Sequence, residues 1–145
     1  MSTIRLMLTA TVDTSGRTVL VVEDTDTCAA LLEVALVRIP GVDVACVASG
    51  QEALHLLGAS GNEVCAMVTD LNMPRVDGFE LIARVRSDLR YARIPIIVVS
   101  GDVDPRTPER MKMLGVDAFF AKPYSPASLR RTLENLLDGS GKKTC

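Results

Sequence analysis

Polar side chains that can do chemistry follow short apolar segments at four separate places in this 145-residue sequence. They stand in the stretches Glu23-Asp24, Asp70-Leu71-Asn72-Met73-Pro74, Ser100-Gly101-Asp102 and Lys122-Pro123. If the fold gathers three of the carboxylates, each pair repels by about 4 kcal/mol at ~4 Å and an effective dielectric constant near ~20, and a divalent cation would offset that repulsion. Hard oxygen ligands without sulfur or imidazole favour Mg²⁺, with Mn²⁺ as a second choice, over Zn²⁺.

The apolar segments before these residues are predicted strands. Four of the five are nearly continuous apolar runs, as in buried parallel strands, whereas Val42-Asp43-Val44 alternates and makes the second strand an edge candidate. The predicted strands are Thr18–Val22, Val42–Val47, Cys65–Thr69, Pro95–Val99 and Ala118–Phe120. Helical periodicity between them predicts an α/β fold, a doubly wound parallel sheet with helices on both faces. Open sheets of this kind place ligands at the carboxyl ends of their strands, so we expect the polar residues to converge there.

Five helices are predicted, and the first and the last carry the clearest buried stripes. The first presents apolar residues at helical spacing and ends at Pro40-Gly41. Its predicted stripe is Cys28, Leu31, Leu32, Ala35 and Leu36. The last helix begins at Ser125-Pro126, ends at Gly139 and turns four leucines inward. These are Leu129, Leu133, Leu136 and Leu137.

The second and third helices are predicted from their first residues. Ser49 and Glu52 match a capping box, in which each side chain satisfies a backbone donor of the other residue. The third helix follows Asp77-Gly78 and runs to about Arg86.

The fourth helix is the weakest prediction because two prolines, Pro105 and Pro108, fall where it should begin. The proline after Thr107 disfavours helical angles at that residue. We therefore expect Thr107 as the cap, followed by only about two turns up to Leu114, with Gly115 ending the helix.

The composition favours one folded domain and excludes several classes of function. Hydrophobic residues make up 48% of the chain, charged residues 23%, and the net charge is -2, which argues against a strongly basic nucleic-acid or membrane-surface protein. No apolar run reaches the ~20 residues of a membrane span and the N-terminal apolar stretch is short for a signal peptide, so we expect a cytoplasmic protein. His55 is the only histidine, which excludes a multi-histidine metal site, and no two cysteines form a CxxC pair.

Together, four motifs resemble the receiver domain of bacterial two-component response regulators. They are Val19-Leu20-Val21-Val22-Glu23-Asp24, Val68-Thr69-Asp70-Leu71-Asn72-Met73-Pro74 with Asp77-Gly78, Val98-Val99-Ser100, and Phe119-Phe120-Ala121-Lys122-Pro123. Each motif lies at the end of a predicted strand, and the resemblance covers residues 18–138. It implies a flavodoxin-like, five-stranded sheet with strand order 2-1-3-4-5. Outside it, we expect residues 1–17 to form a disordered N-terminal extension and residues 139–145 a flexible tail.

The resemblance also implies roles for the polar residues. Asp70 would be the nucleophile that accepts a phosphoryl group as an aspartyl-phosphate. Glu23 and Asp24 would hold Mg²⁺ (or Mn²⁺) together with Asp70 and the backbone carbonyl of Asn72. Lys122 would pair with Asp70 and then with the phosphoryl oxygens.

Two further residues would form a switch that responds to the phosphoryl group. Ser100 would donate its hydroxyl to a phosphoryl oxygen, and Phe119 would move toward the space that Ser100 vacates. The same residue types also suit a strand-to-loop turn at Ser100 and a static core aromatic at Phe119. Asp102 would either influence the phosphoryl lifetime or cap a turn. In the family, the peptide bond before Pro123 is often cis.

Three features depart from the family's usual pattern. The first acidic position holds Glu23 instead of the more usual Asp, and Phe119 lacks the hydroxyl of a switch tyrosine. The prolines Pro105 and Pro108 shorten the fourth helix. Because that helix helps to form the face by which the family meets its partners, the partner surface is expected to differ.

The resemblance implies a phosphoacceptor, not an enzyme, that assists its own phosphoryl transfer and dephosphorylation. The donor would be a histidine kinase or a histidine phosphotransfer protein, since the lone His55 has no kinase domain around it. The output would pass through a downstream protein partner or a fused output domain, without direct contact to nucleic acid or membrane. A single-domain regulator and a receiver from a larger hybrid protein both remain open.

Two alternative functions remain. The first is a Mg²⁺-dependent phosphohydrolase with an aspartyl-phosphate intermediate, but Asn72 stands where such an enzyme needs a second acid to protonate the leaving group. The second is a receiver-like binding module that takes no phosphate, although the presence of Asp70 and Lys122 weighs against it.

Overall fold

The computed structural model describes residues 17–59, 64–73, 76–101 and 104–139, and these form one five-stranded parallel sheet. The strands are β1 (Thr18–Val22), β2 (Asp43–Val47), β3 (Val64–Asp70), β4 (Ile96–Ser100) and β5 (Ala118–Ala121). Their order is β2-β1-β3-β4-β5, which confirms the predicted flavodoxin-like sheet and places β2 at an edge. The predicted strand bounds are right for β1 and differ by one residue at some ends of the others.

In the described part of the chain, five helices cover the two faces of the sheet. They are α1 (Asp26–Leu36), α2 (Gly50–Gly58), α3 (Gly78–Ser87), α4 (Thr107–Met113) and α5 (Pro126–Gly139). Helices α2, α3 and α4 contribute to one hydrophobic cluster, and α1 and α5 contribute to a second cluster on the opposite face. Successive β1 residues divide between them, with Leu20 in the first and Val21 in the second, because side chains alternate along a strand. None of the described helices combines the length and apolar character that a membrane crossing requires.

The register of the sheet brings the strand ends to one edge. Val22 pairs with both Val47 and Thr69, and Ser100 pairs with Ala121. Because all five strands are parallel, the residues that follow them emerge on the same side of the molecule. This arrangement places the polar motifs within reach of one another.

Two helix starts follow their capping signals. The Ser49 hydroxyl accepts a hydrogen bond from the Glu52 amide (3.1 Å), and the Asp77 carboxylate accepts one from the Glu80 amide (2.9 Å). The return bond of the predicted capping box differs, because the Glu52 carboxylate accepts from the amide of Ala48 instead of Ser49. The box therefore closes one residue further out.

The predicted buried stripe of α1 is wrong at Leu31, whose exposed fraction is 53%. Leu32 and Leu36 are fully buried against the sheet, while Cys28 and Ala35 are only half-buried. Adjacent helical residues point about 100° apart, so burial of Leu32 turns Leu31 toward solvent. The covered face of α1 is narrower than the apolar face of its sequence.

The predicted cap of α4 is also wrong, because Thr107 is the buried first residue of the helix. Asp104 builds the turn before it, accepting the Arg106 amide on its carboxylate and the Thr107 amide on its backbone carbonyl. Pro108 then falls in the first helical turn, where no intrahelical donor is needed. The helix is as short as predicted, and Gly115 follows it with a φ of 77°.

Several sequence-based expectations lie outside the described residues. They concern residues 1–16 of the N-terminal extension, residues 140–145 of the tail, and Asp102.

Candidate functional site

Asp70 is the last residue of the central strand β3 and lies at the centre of the site. Its side chain is buried, with a residue exposure of 6%. One carboxylate oxygen accepts the backbone amide of Asn72 at 3.0 Å, and the other accepts the Lys122 ammonium at 2.9 Å. Each carboxylate oxygen thus has its own hydrogen-bond donor.

Glu23 and Asp24 follow β1 and complete an acidic cluster with Asp70. One carboxylate oxygen from each of the three residues lies within 4.8 Å of the others. Glu23 is 2% exposed, whereas Asp24 faces solvent. The second Glu23 oxygen accepts the backbone amide of Thr25 at 3.3 Å, which fixes the carboxylate over the end of the sheet.

Lys122 follows β5 and joins the two buried acids. Its ammonium contacts the Glu23 carboxylate at 3.3 Å as well as Asp70, while its backbone amide donates to the carbonyl of Ser100 at 2.9 Å. The Lys122-Pro123 peptide bond is cis, as expected. The side chains that the sequence placed after β1, β3 and β5 therefore meet in one notch.

Burial and the charges in the notch shift the pKa values of Glu23 and Lys122. Burial, and then the negative charge of Asp70, raise the pKa of Glu23, and the nearby Lys122 only partly opposes this. Burial alone would lower the pKa of Lys122, but its hydrogen bond to Asp70 and the charges of Asp70 and Glu23 outweigh that effect and raise it. Lys122 therefore stays protonated at neutral pH, and the buried carboxylates of Glu23 and Asp70 share its ammonium.

The residues of the notch fit a magnesium ion. The clustered ligand atoms of Glu23, Asp24 and Asp70 are all carboxylate oxygens, the donor type that Mg²⁺ and Mn²⁺ prefer. Their three negative charges exceed the single positive charge of Lys122, so a divalent cation would relieve the remaining repulsion. Asn72 lies beside the cluster and is exposed.

The structure places the two predicted switch residues on neighbouring strands. Ser100 is fully buried at the end of β4, and its pairing partner is Ala121. Phe119 lies two residues before Ala121 on β5, hence on the same face of the strand, and is 38% exposed. Phe119 thus stands at the surface and is not a buried core aromatic.

Two further residues lie near the notch: Gly78, which the sequence showed only as part of a motif, and Tyr124, which sequence reasoning missed. A Cβ added to Gly78 would lie 2.5 Å from the Asp70 carbonyl oxygen, so only glycine allows α3 to start this close to the β3 backbone. Tyr124 is half-buried beside Phe120, with ring centroids 6.1 Å apart. Burial, followed by the charges of Cys28 and Glu23, raises the pKa of Tyr124 to about 12. The Asp77-Gly78 turn was visible in the sequence as a motif, whereas Tyr124 carried no signal.

Comparison with known proteins agrees with this geometry. Residues 19–134 match the family model described as the response regulator receiver domain. The chain is 34% identical over 124 residues to a chemotaxis protein CheY homolog of Campylobacter jejuni, covering 85% of this chain and 95% of that protein. A solved response regulator receiver protein from Pseudomonas putida is similar with a TM-score of 0.74 and 31% identity, covering 83% of this chain and 98% of that one. The signal receiver domain of a histidine kinase from Syntrophus aciditrophicus gives a TM-score of 0.76 and 28% identity, covering 88% and 95%.

Proposed function

This chain belongs to the response regulator receiver domain family, and from that premise we propose that Asp70 accepts a phosphoryl group from a phosphohistidine. The donor is a separate histidine kinase or histidine phosphotransfer protein. The observation that carries the proposal is the 2.9 Å contact between Lys122 and Asp70 inside a cluster of three carboxylates. This contact supports a site for a dianionic phosphoryl group, because the Lys122 ammonium and a set of carboxylates suited to a divalent cation surround the Asp70 side chain.

The proposed transfer moves the phosphoryl group from a nitrogen of the donor to an oxygen of Asp70. A carboxylate oxygen of Asp70 forms the new O–P bond as the P–N bond of the donor breaks, and the electron pair of that bond returns to the imidazole. The Asn72 amide and the Lys122 ammonium hold the carboxylate in place before the reaction. Lys122 then contacts the phosphoryl oxygens that arrive on Asp70.

Glu23, Asp24 and Asp70, with the backbone carbonyl of Asn72, would hold Mg²⁺ in this site, and Mn²⁺ suits the same oxygen ligands. When bound, the cation neutralises charge on the incoming phosphoryl oxygens. The chain's own contribution is to bury Glu23 and Asp70 while leaving Asp24 at the surface, on the side from which a donor must approach.

The phosphoryl group acts as the signal by changing the surface between β4 and β5. The Ser100 hydroxyl donates to a phosphoryl oxygen, its loop moves inward, and Phe119 turns from the surface toward the vacated space. The output is a protein contact made by a receiver unit of residues 18–138, which assists its own phosphorylation and dephosphorylation without acting on a separate substrate. A cytoplasmic location belongs to the same proposal.

The direct test is phosphorylation by a small phosphodonor with Mg²⁺, read by intact-mass spectrometry. We expect one phosphoryl adduct on the wild type and none on Asp70→Asn. Asp43→Asn is the matched control, because Asp43 is an exposed aspartate at the amino end of β2, away from the strand ends that form the notch. It should be phosphorylated like the wild type.

Two results would contradict the proposal. A wild type without an adduct would indicate a receiver-like binding module. Sustained release of inorganic phosphate from a phosphate ester, in amounts far above that of the protein, would indicate a phosphohydrolase.

A further inference from the structure

The amino end of α2 approaches the loop between β3 and α3 so closely that only glycine fits at residue 50. A Cβ on Gly50 would lie 2.6 Å from the carbonyl oxygen of Val76 and 2.9 Å from its Cβ. The carbonyl oxygen belongs to the backbone and cannot rotate aside as a side chain would. Any larger residue at position 50 must therefore push α2 and the loop apart.

From Val76 the contact continues to the proposed phosphoacceptor. Gly78 follows two residues later, and its Cβ position lies 2.5 Å from the Asp70 carbonyl oxygen and 2.6 Å from the Cα of Leu71. The Gly78 amide also donates to the Leu71 carbonyl at 2.9 Å. A displacement at Val76 would thus reach the backbone next to Asp70 through Gly78, which has no room to shift toward Asp70 and is hydrogen-bonded to Leu71.

The other side of α2 is tied to the loop that carries Glu23 and Asp24. The Glu23 amide donates to the carbonyl of Val47 at 3.0 Å, and Val47 ends the strand that leads into α2. Between Val47 and Gly50, the Ser49 cap and the Glu52–Ala48 hydrogen bond fix the start of the helix. The amino end of α2 therefore lies between Glu23, which is hydrogen-bonded to Val47, and Val76, which Gly50 approaches closely.

We propose that Gly50 is a positioning residue that sets the separation between these two loops, and with it the spacing of Glu23 and Asp24 from Asp70. This inference rests on the proposed function, since the spacing matters only if the three carboxylates bind a cation together. Residues that orient metal ligands from outside the ligand set commonly change metal affinity when they are replaced. Gly50 takes this role by allowing the close approach and makes no contact with the cation itself.

The test compares Gly50→Ala with Gly58→Ala in the full chain. Both substitutions add one methyl group to α2, but a Cβ at Gly58 meets nothing within 4 Å. Mn²⁺ binding is measured by electron paramagnetic resonance of the free ion, and unfolding is followed separately in EDTA. We expect Gly50→Ala to bind Mn²⁺ about tenfold more weakly than the wild type, and Gly58→Ala to bind it equally well. At saturating Mg²⁺ the phosphorylation rate of Gly50→Ala should return toward that of the wild type.

A purely structural role for Gly50 makes a different prediction, namely a loss of stability in EDTA with unchanged Mn²⁺ affinity of the folded protein. That result would overturn the inference. If Gly50→Ala does not fold, Ser49→Ala decides, because it loosens the same helix end without adding a group. We expect it to weaken Mn²⁺ binding, and unchanged binding would overturn the inference. A wild type that binds no Mn²⁺ would overturn both the cation site of the proposed function and this inference. If Gly50→Ala and Gly58→Ala both bind Mn²⁺ as tightly as the wild type, only the inference is overturned.

Discussion

The ammonium of Lys122 lies 2.9 Å from a carboxylate oxygen of Asp70, although the two residues are 52 positions apart in the chain. The ammonium neutralises part of the negative carboxylate charge that a divalent cation would otherwise neutralise alone. Cation and lysine therefore compete for the same negative charge while both favour an incoming phosphoryl group.

Replacement of this lysine should separate the two effects. We expect Lys122→Met to bind Mn²⁺ roughly tenfold more tightly, because a positive charge beside the ligands is removed, and to slow phosphorylation of Asp70 by a small phosphodonor. Lys112→Met is the control, since Lys112 is an exposed residue of α4. Mn²⁺ titrations and intact-mass time courses measure the two quantities. Weaker Mn²⁺ binding in Lys122→Met would contradict the account.

Glu23 should show opposite effects on stability and on cation binding. Its pKa is raised above 4.5, so between that unfolded-state value and the raised value the folded protein binds more protons than the unfolded chain. The free energy of unfolding therefore falls as pH rises through this window, and the carboxylate remains destabilising at neutral pH. We expect Glu23→Gln to unfold at higher denaturant concentration than the wild type in EDTA at pH 7, and to bind Mn²⁺ more weakly. A less stable Glu23→Gln under these conditions would contradict the raised pKa.

The proposed switch can be followed by a single fluorophore, because the chain contains no tryptophan. In Phe119→Trp the indole starts at a site that is 38% exposed. We expect its emission to shift to shorter wavelength when phosphodonor and Mg²⁺ are added, as the ring becomes buried. The double variant Phe119→Trp/Asp70→Asn should show no shift. An unchanged emission in a sample whose mass shows the phosphoryl adduct would exclude Phe119 as the switch.

Arg86 should stabilise the fold without affecting the notch. Its guanidinium donates to the carbonyls of Ala92 (3.0 Å), Ile94 (2.8 Å) and Gly115 (2.7 Å), and pairs with Asp117. We expect Arg86→Ala to lower the free energy of unfolding by about 1–3 kcal/mol, since the half-buried carbonyls of Ala92 and Ile94 lose a charged donor.

Arg84 offers the matched comparison for this variant, because it lies on the same helix and its ion pair with Glu80 is exposed. Arg84→Ala should cost about 0.5 kcal/mol or less in a denaturant titration. Mn²⁺ affinity should stay unchanged in both variants. Equal stability losses would show that the acceptors around Arg86 are satisfied by water.

The meeting of Glu23, Asp70 and Lys122 could be predicted because it follows from one rule. Parallel strands end at a common edge, so polar residues after β1, β3 and β5 approach one another however far apart they stand in the chain. The apolar runs that predict the strands are local features of the sequence. The roles of Ser100 and Phe119 in a switch remain predictions.

Other features depend on distances between elements, which a local pattern does not contain. Periodicity identified the apolar face of α1, but the width of sheet that the helix covers left Leu31 exposed. The prediction of the α4 cap was wrong because Asp104 accepts the backbone amides of Arg106 and Thr107 before the helix. Thr107 is therefore not needed as a cap and forms the first helical residue. The contact between Gly50 and Val76 joins a helix start to a separate loop, and neither residue type indicates it alone.

The most direct test of the central claim is to locate the phosphoryl group chemically. Borohydride reduces an acyl phosphate to an alcohol, so reduction of the phosphorylated protein converts the modified aspartate to homoserine, which peptide mass spectrometry can place in the sequence. The account predicts homoserine at position 70 and at no other aspartate, only after treatment with both phosphodonor and Mg²⁺. Homoserine at another position, or a phosphoryl group that survives as a serine ester, would contradict it.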